Sequence, residues 1–215
     1  KLDNFDQVVV PEHDNLDGHN VLKTKGAIHY LTSEEIEKEK EYLFSISSKL
    51  KDKNIISLII GGPTQYYDYS DRNIQEIFSK VNYLVKENNL NLVVIPSMRT
   101  PKGTIEHAKI YFGNDHLVLD GVDKKAYLSA LSQSKHLVIT CDSSSMISEA
   151  ALTGKPIYIA TIPPKKSDKR FKNFRKLFQE MNIVKELGEK LENWNYEKLD
   201  ETNRVANIIK DKIQL

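Results

Sequence analysis

Five short segments of this sequence gather side chains that could do chemistry. The densest is Thr140-Cys141-Asp142-Ser143-Ser144-Ser145-Met146-Ile147-Ser148-Glu149-Ala150, where an apolar run ends, three serines follow and a helical pattern begins. A helix start offers unpaired amides and the positive end of a dipole, so it attracts anions. Ser143 or Ser144 could cap the helix or donate to a phosphate oxygen. Ser145 and Glu149 are four residues apart and share a helix face. Beside a bound phosphate, Glu149 would accept from the hydroxyls of a ribose; the alternative is an ordinary serine cap with a surface carboxylate. Gly61-Gly62-Pro63-Thr64 follows another apolar run. Two glycines there allow a phosphate close to the backbone, or simply make a tight turn. In Ser97-Met98-Arg99-Thr100-Pro101 the Arg99 guanidinium and the Thr100 hydroxyl could hold a diphosphate or a carboxylate, unless Arg99 is a solvated surface cation. Pro11-Glu12-His13-Asp14 offers Glu12 and His13 as acid–base candidates, though taken alone a common polar loop is the favoured reading. Finally, Lys165, Lys166, Lys169, Arg170, Lys172, Arg175 and Lys176 alternate with Phe171, Phe174 and Phe178. That pattern fits a helix lying on an anionic membrane, but an amphipathic helix with its phenylalanines in the core is favoured.

These segments need elements to position them. Val8, Val9 and Val10 sit in a short strand over 7–11, and a second spans 20–23. Thr32 and Glu35 form a capping-box pattern opening a helix whose stripe is Ile36, Leu43, Ile46 and Leu50. Residues 55–60, IISLII, lack alternation and suit a strand buried on both faces of a parallel sheet. Asp71 caps a helix with Ile74, Ile77, Phe78, Val81, Leu84 and Val85 on one side. Further strands are expected at 91–95, 116–119, 136–140 and 156–160, with helices at 104–112, 123–133, 144–153, 168–181 and 199–213. From residue 55 this is a strand–helix alternation with five strands, the pattern of an α/β fold: a Rossmann-like parallel sheet flanked by helices. In such sheets ligands bind beyond the carboxyl ends of the strands, which is where four of the five segments fall.

Composition narrows the classes. The 215 residues are 40% hydrophobic and 28% charged, too apolar for a disordered chain. The mean hydropathy is −0.47, and no apolar run approaches the roughly 18 residues of a membrane span. With 31 basic and 30 acidic side chains the net charge is +1, which argues against a nucleic-acid binder. Cys141 is alone, so no intramolecular disulfide forms and a reducing compartment fits. The six histidines show no metal-ligand spacing, and there is no Walker A loop or nucleophile elbow, so neither a metal nor a cofactor is expected. The opening carries no signal-peptide pattern and starts at Lys1, so upstream residues are expected to be missing.

Several segments in order resemble the mitochondrial-fission "elongated mitochondria" (ELM) family, whose members have a glycosyltransferase-B-like architecture. They are 5–14 (FDQVVVPEHD), 20–29 (NVLKTKGAIH), 61–63 (GGP), 97–101 (SMRTP), 141–158 (CDSSSMISEAALTGKPIY) and 194–206 (WNYEKLDETNRVA). The most specific are PEHD, GGP, R-T-P and a D-S-x-S-M-x-S-E-A pattern met by Asp142, Ser143, Ser145, Met146, Ser148, Glu149 and Ala150. The resemblance implies that the chain looks like the C-terminal half of such a protein: 1–31 a remnant of an N-terminal domain plus a hinge, and 32–215 a nucleotide-sugar-binding Rossmann-like domain. It implies that Ser143, Ser144, Ser145 and the helix amides meet a diphosphate, that Glu149 meets the ribose, and that Gly61, Gly62, Arg99 and Thr100 line the phosphate side. His13 is then the visible base candidate.

Three functions follow as expectations. The first is a metal-independent glycosyltransferase-like protein that binds a nucleotide-diphosphate sugar and passes it to an acceptor the sequence does not name. The second is a non-catalytic binding or recruiting protein that has kept the fold, with peripheral membrane contact through 165–176. The third is a nucleotide-sugar epimerase using the PEHD side chains. The Lys- and Asn-rich composition reads as bacterial, and the expected location is cytoplasmic.

Overall fold

A computed structural model describes residues 2–213; Lys1, Gln214 and Leu215, the outermost residues of the two expected domain ranges, lie outside it. The chain first makes two short parallel strands, β1 (Val8–Pro11) and β2 (Val21–Thr24), paired from Val8↔Val21 to Pro11↔Thr24. Then follow α1 (Ser33–Lys38), α2 (Tyr42–Ile46), β3 (Ile55–Ile60), α3 (Asp71–Glu87), β4 (Asn91–Pro96), α4 (Lys102–Phe112), β5 (Leu117–Val118), α5 (Lys124–Gln133), β6 (Ser134–Thr140), α6 (Ser144–Ala151), β7 (Ile157–Ala160), α7 (Lys169–Glu180), β8 (Val184–Glu186) and α8 (Glu201–Ile213). Strands β3 to β8 form one parallel sheet in the order β5-β4-β3-β6-β7-β8.

The apolar runs explain the sheet. Every residue of β3 is buried, and all but Lys135 of β6, because both strands lie centrally with helices on each face. Helix α3 buries the expected stripe from Ile74 to Val85, each side chain contributing about 2 kcal/mol of burial. No helix among the described residues is long and apolar enough to cross a membrane.

The structure corrects the expected elements in four places. The sheet has a sixth strand, β8, beyond the five expected. The 116–119 strand shortens to Leu117–Val118. Helix α3 is capped by Ser70, whose hydroxyl accepts from the Asn73 amide, and Asp71 is its first residue. The single helix expected after Thr32 is broken into α1, α2 and a 3-10 turn over Ser48–Leu50, leaving Ile46 exposed. The capping box of Thr32 and Glu35 does form. The break is stabilised by buried Ser129 of α5, which donates to the Lys40 carbonyl (2.6 Å) and accepts from the Leu43 amide (3.0 Å). Backbone groups freed by the break therefore keep partners.

Candidate functional site

The strand order reverses between β3 and β6: β4 and β5 lie on one side of this pair, β7 and β8 on the other. The crevice outside the carboxyl ends of such a pair is where open α/β sheets hold ligands. The loops that end β3 (Gly61-Gly62), β4 (Ser97 to Thr100) and β6 (Cys141 to Ser143) converge there.

Asp142 ties the three loops together. Its side chain is fully buried. Oδ2 accepts from Arg99 Nη2 at 2.7 Å and from the Gly62 amide at 3.1 Å. Oδ1 lies 2.5 Å from the Tyr69 hydroxyl and 2.7 Å from Thr140 Oγ1. The Gly61 amide donates to Thr140 Oγ1 at 2.8 Å. The Thr100 hydroxyl faces the carbonyls of Ile60 and Gly61 at 2.7 and 2.6 Å. Burial, then the Asp142 charge, pushes the Tyr69 phenol far above its ordinary value, so it stays a donor. Gly61, Gly62 and Thr100 thus bind one loop to another, and both glycine amides already have acceptors. The glycines are required by close approach: a Cβ on Gly61 would stand 2.2 Å from Asp142 Oδ2, and one on Gly62 2.0 Å from the Arg99 carbonyl oxygen.

Beside this knot lies a cleft of about 380 Å³. Of the residues singled out in the sequence, Arg99, Ser143 and Glu149 line it. Ser143 caps α6, its Oγ accepting from the Met146 amide at 3.4 Å. The amides of Ser144 and Ser145, at the first two helical positions, have no intrahelical partner; Ser144 is half-buried and Ser145 exposed. Glu149 Oε2 accepts from the Tyr127 hydroxyl at 2.7 Å. Apolar Ile59, Ile95 and Pro96 line the cleft, together with exposed Tyr30, Met98 and Val122. Arg99 is half-exposed and reaches the Gly62 carbonyl at 3.3 Å as well as Asp142.

Glu12 and His13 are elsewhere. They line a separate depression with Asn173, Lys176, Leu177 and Glu180. The His13 ring is buried against Phe174, centroids 5.3 Å apart, and burial holds its pKa below the usual histidine value. Glu12 pairs with Lys25 at 3.0 Å. On α7, Phe174 and Phe178 are buried. Arg175 is also buried, donating to the Tyr67 hydroxyl (2.9 Å) and to Asp168 (3.2 Å), while Arg170 pairs with Asp14. The cations left at the surface are Arg170 and the lysines, of which Lys172 and Lys176 pair with Asp168 and Glu180. Among the described residues no three His, Cys, Asp or Glu side chains are grouped to hold a metal ion.

Reasoning from sequence missed Asp142 as the hub, Tyr69 as its partner, Tyr127 as the partner of Glu149, and Tyr30 on the cleft rim. Asp142 alone carried a signal, standing immediately before the capping serine.

The profile of a family described as "Mitochondrial fission ELM1" matches residues 1–213. An uncharacterised protein of Rickettsia prowazekii is 26% identical over 216 residues, 95% of this chain and 58% of its own. The mitochondrial fission protein ELM1 of Arabidopsis thaliana is 25% identical over 247 residues, 99% of this chain and 55% of its own. The chain therefore spans about half the length of these relatives. Among solved structures, a Listeria monocytogenes protein assigned as a UDP-N-acetylglucosamine 2-epimerase superposes with a TM-score of 0.54 at 16% identity, over 94% of this chain and 56% of that one. This likeness is one of fold: a Rossmann-like parallel sheet of the glycosyltransferase-B type.

Proposed function

The chain belongs to the mitochondrial fission ELM1 family, and from that premise we propose that its strand-end cleft binds the nucleoside diphosphate part of a nucleotide-diphosphate sugar. One observation carries the reading: a single cleft at the point of strand reversal holds the capped start of α6, a guanidinium and a half-buried carboxylate. Glu149 follows Ser144 by five residues, about 7 Å along a helix axis. A diphosphate at the α6 start therefore puts its ribose level with Glu149. Arg99 is already neutralised in part by Asp142, so the α6 amides and Ser143 are the main anion donors. Each charge-assisted hydrogen bond there is worth about 1.5–3 kcal/mol. The fold neighbour is assigned as an epimerase of a UDP-sugar, which makes UDP the first probe.

A non-catalytic binding protein is the second reading. It is favoured by the place of Glu12 and His13, the acid–base candidates, outside this cleft. Transfer and epimerisation both need such groups at the sugar. Recruitment to a membrane through 165–176 draws less support from α7, since its phenylalanines and Arg175 face inward.

Calorimetric titration with UDP, GDP, ADP and CDP tests the proposal. One diphosphate is expected to bind saturably, and Glu149→Ala to weaken it about tenfold, the loss of roughly 1.4 kcal/mol, with the far-UV circular dichroism of the folded chain kept. Absence of binding by all four overturns it for this chain.

A further inference from the structure

The carboxylate in the cleft is held in an unusual way for a glutamate near a surface. Among the described residues, no lysine or arginine lies within ion-pair distance of Glu149. Its one hydrogen-bond partner is neutral: the Tyr127 hydroxyl, 2.7 Å from Oε2. Oε1 has no partner among the described residues and belongs to a residue that lines the cleft.

Tyr127 is well anchored for such a task. It sits one turn into α5, whose cap, Asp123, accepts from the Ala126 amide at 3.0 Å. Asp123 is itself held by the Tyr42 hydroxyl at 3.0 Å. Two residues on from Tyr127, Ser129 ties α5 to the break between α1 and α2. Burial, with the Glu149 charge second, drives the Tyr127 phenol well above its ordinary range. The bond therefore has one polarity, tyrosine donating and glutamate accepting.

Resting on the reading that the cleft takes a nucleoside diphosphate, we infer that Tyr127 is the positioning residue for Glu149: by donating to Oε2 it turns Oε1 toward the 2′- and 3′-hydroxyls of a ribose, so that the cleft selects ribonucleoside over 2′-deoxyribonucleoside diphosphates. A carboxylate oxygen has two lone pairs and can accept from both hydroxyls. A fixed carboxylate takes them at little further entropic cost, whereas a free one must be ordered first.

The test is the ratio of UDP to 2′-deoxy-UDP affinity, by calorimetry, in the wild-type chain, Tyr127→Phe and Glu149→Gln. The wild type is expected to prefer UDP about tenfold, the loss of one hydrogen bond to a charged group. In Tyr127→Phe the ratio falls toward about twofold because UDP, which loses the aim at two hydroxyls, weakens more than 2′-deoxy-UDP, which has only the 3′-hydroxyl to lose. Glu149→Gln, which keeps the side-chain shape, is expected to lose the preference as well. A role for Tyr127 in packing alone weakens both ligands equally and keeps the ratio; that result overturns the inference, as does a wild type that binds both equally. Binding of neither ligand, nor of the other diphosphates, overturns the underlying proposal instead.

Discussion

Adding one methyl group at Gly61 tests whether the loop knot is as tight as its geometry says. An alanine Cβ there falls 2.2 and 2.4 Å from the two carboxylate oxygens of Asp142. Non-bonded contacts at that distance do not persist, so the carboxylate must retreat by about 1 Å, a full overpacking strain. It has no slack, since Gly62, Arg99, Tyr69 and Thr140 all hold it. Losing two of these bonds, each to a charged and buried acceptor, costs about 3–5 kcal/mol. In a chain of this length that lowers the midpoint of thermal unfolding by roughly 10 °C. Gly62→Ala is expected to cost as much, because its Cβ meets the Arg99 carbonyl, which is backbone and cannot swing aside. Gly103 in α4 is the internal control: among the described residues nothing lies within 4 Å of a Cβ there. Gly103→Ala, in the first turn, should stabilise by about a few tenths of a kcal/mol through helix propensity. Urea unfolding followed by far-UV circular dichroism reads all three. A Gly61→Ala midpoint within about 0.5 kcal/mol of the wild type, or a shift of the same sign and size as Gly103→Ala, refutes the tight knot.

Two further outcomes follow from buried titratable groups. Burial pushes the Cys141 thiol up to about 11, and its sulfur takes the Ile162 amide at 3.3 Å. An aromatic disulfide reagent at pH 8 should therefore label it only as fast as the chain unfolds; rapid native-state labelling contradicts this. Burial also lowers the pKa of His13, His116 and His136. The folded chain then resists protons that the unfolded chain accepts near pH 6.5, so stability is full above that pH and declines as the pH falls below it. Urea midpoints should drop between pH 6.5 and 5, and His13→Phe should shallow the drop. A midpoint flat across that window argues against buried neutral histidines.

The strands that the sequence reveals most clearly are those whose two faces are both buried. IISLII needs no pattern beyond its apolar run, because the sheet interior leaves no polar face to alternate with. β8 shows the converse. It is a three-residue edge strand containing Lys185 and Glu186, and among the described residues it pairs with β7 alone, so neither apolarity nor alternation marks it. The break at residues 39–41 is hidden for another reason. Ile36 and Leu43 are spaced as one helix face, but Ser129, nearly ninety residues later, satisfies the open backbone. Local spacing carries no trace of that partner. The site divides in the same way. Arg99 and Ser143 are legible because they stand at a strand end and a helix start, and Glu149 because it shares a helix face with Ser145 one turn earlier. The inward turn of Asp142 depends on a strand order that places β3, β4 and β6 side by side.

The same strand order separates two jobs among the segments that carry the family resemblance. GGP, SMRTP and the start of CDSSS surround Asp142 and the cleft. NVLKTKGAIH and the end of WNYEKLDETNRVA instead meet each other. Buried Glu201 accepts from the Lys25 amide at 2.7 Å, Arg204 donates to the Lys23 carbonyl at 2.6 Å, and the Thr202 hydroxyl donates to the His29 carbonyl at 2.6 Å. Helix α8 thus clasps the segment that follows the small β1–β2 sheet, and α6 holds it from the other side through Ser148, which accepts from the Ala27 amide at 2.9 Å. A parallel pair of four-residue strands cannot hold its own orientation; these side chain–backbone bonds set it. They also fix where Tyr30, one residue beyond His29, meets the cleft rim. Ser148 donates in turn to the Ser144 carbonyl at 2.8 Å, next to the Ser143 cap. The first turn of α6 is therefore the backbone that cleft and clasp share, and a ligand that orders that turn acts on both.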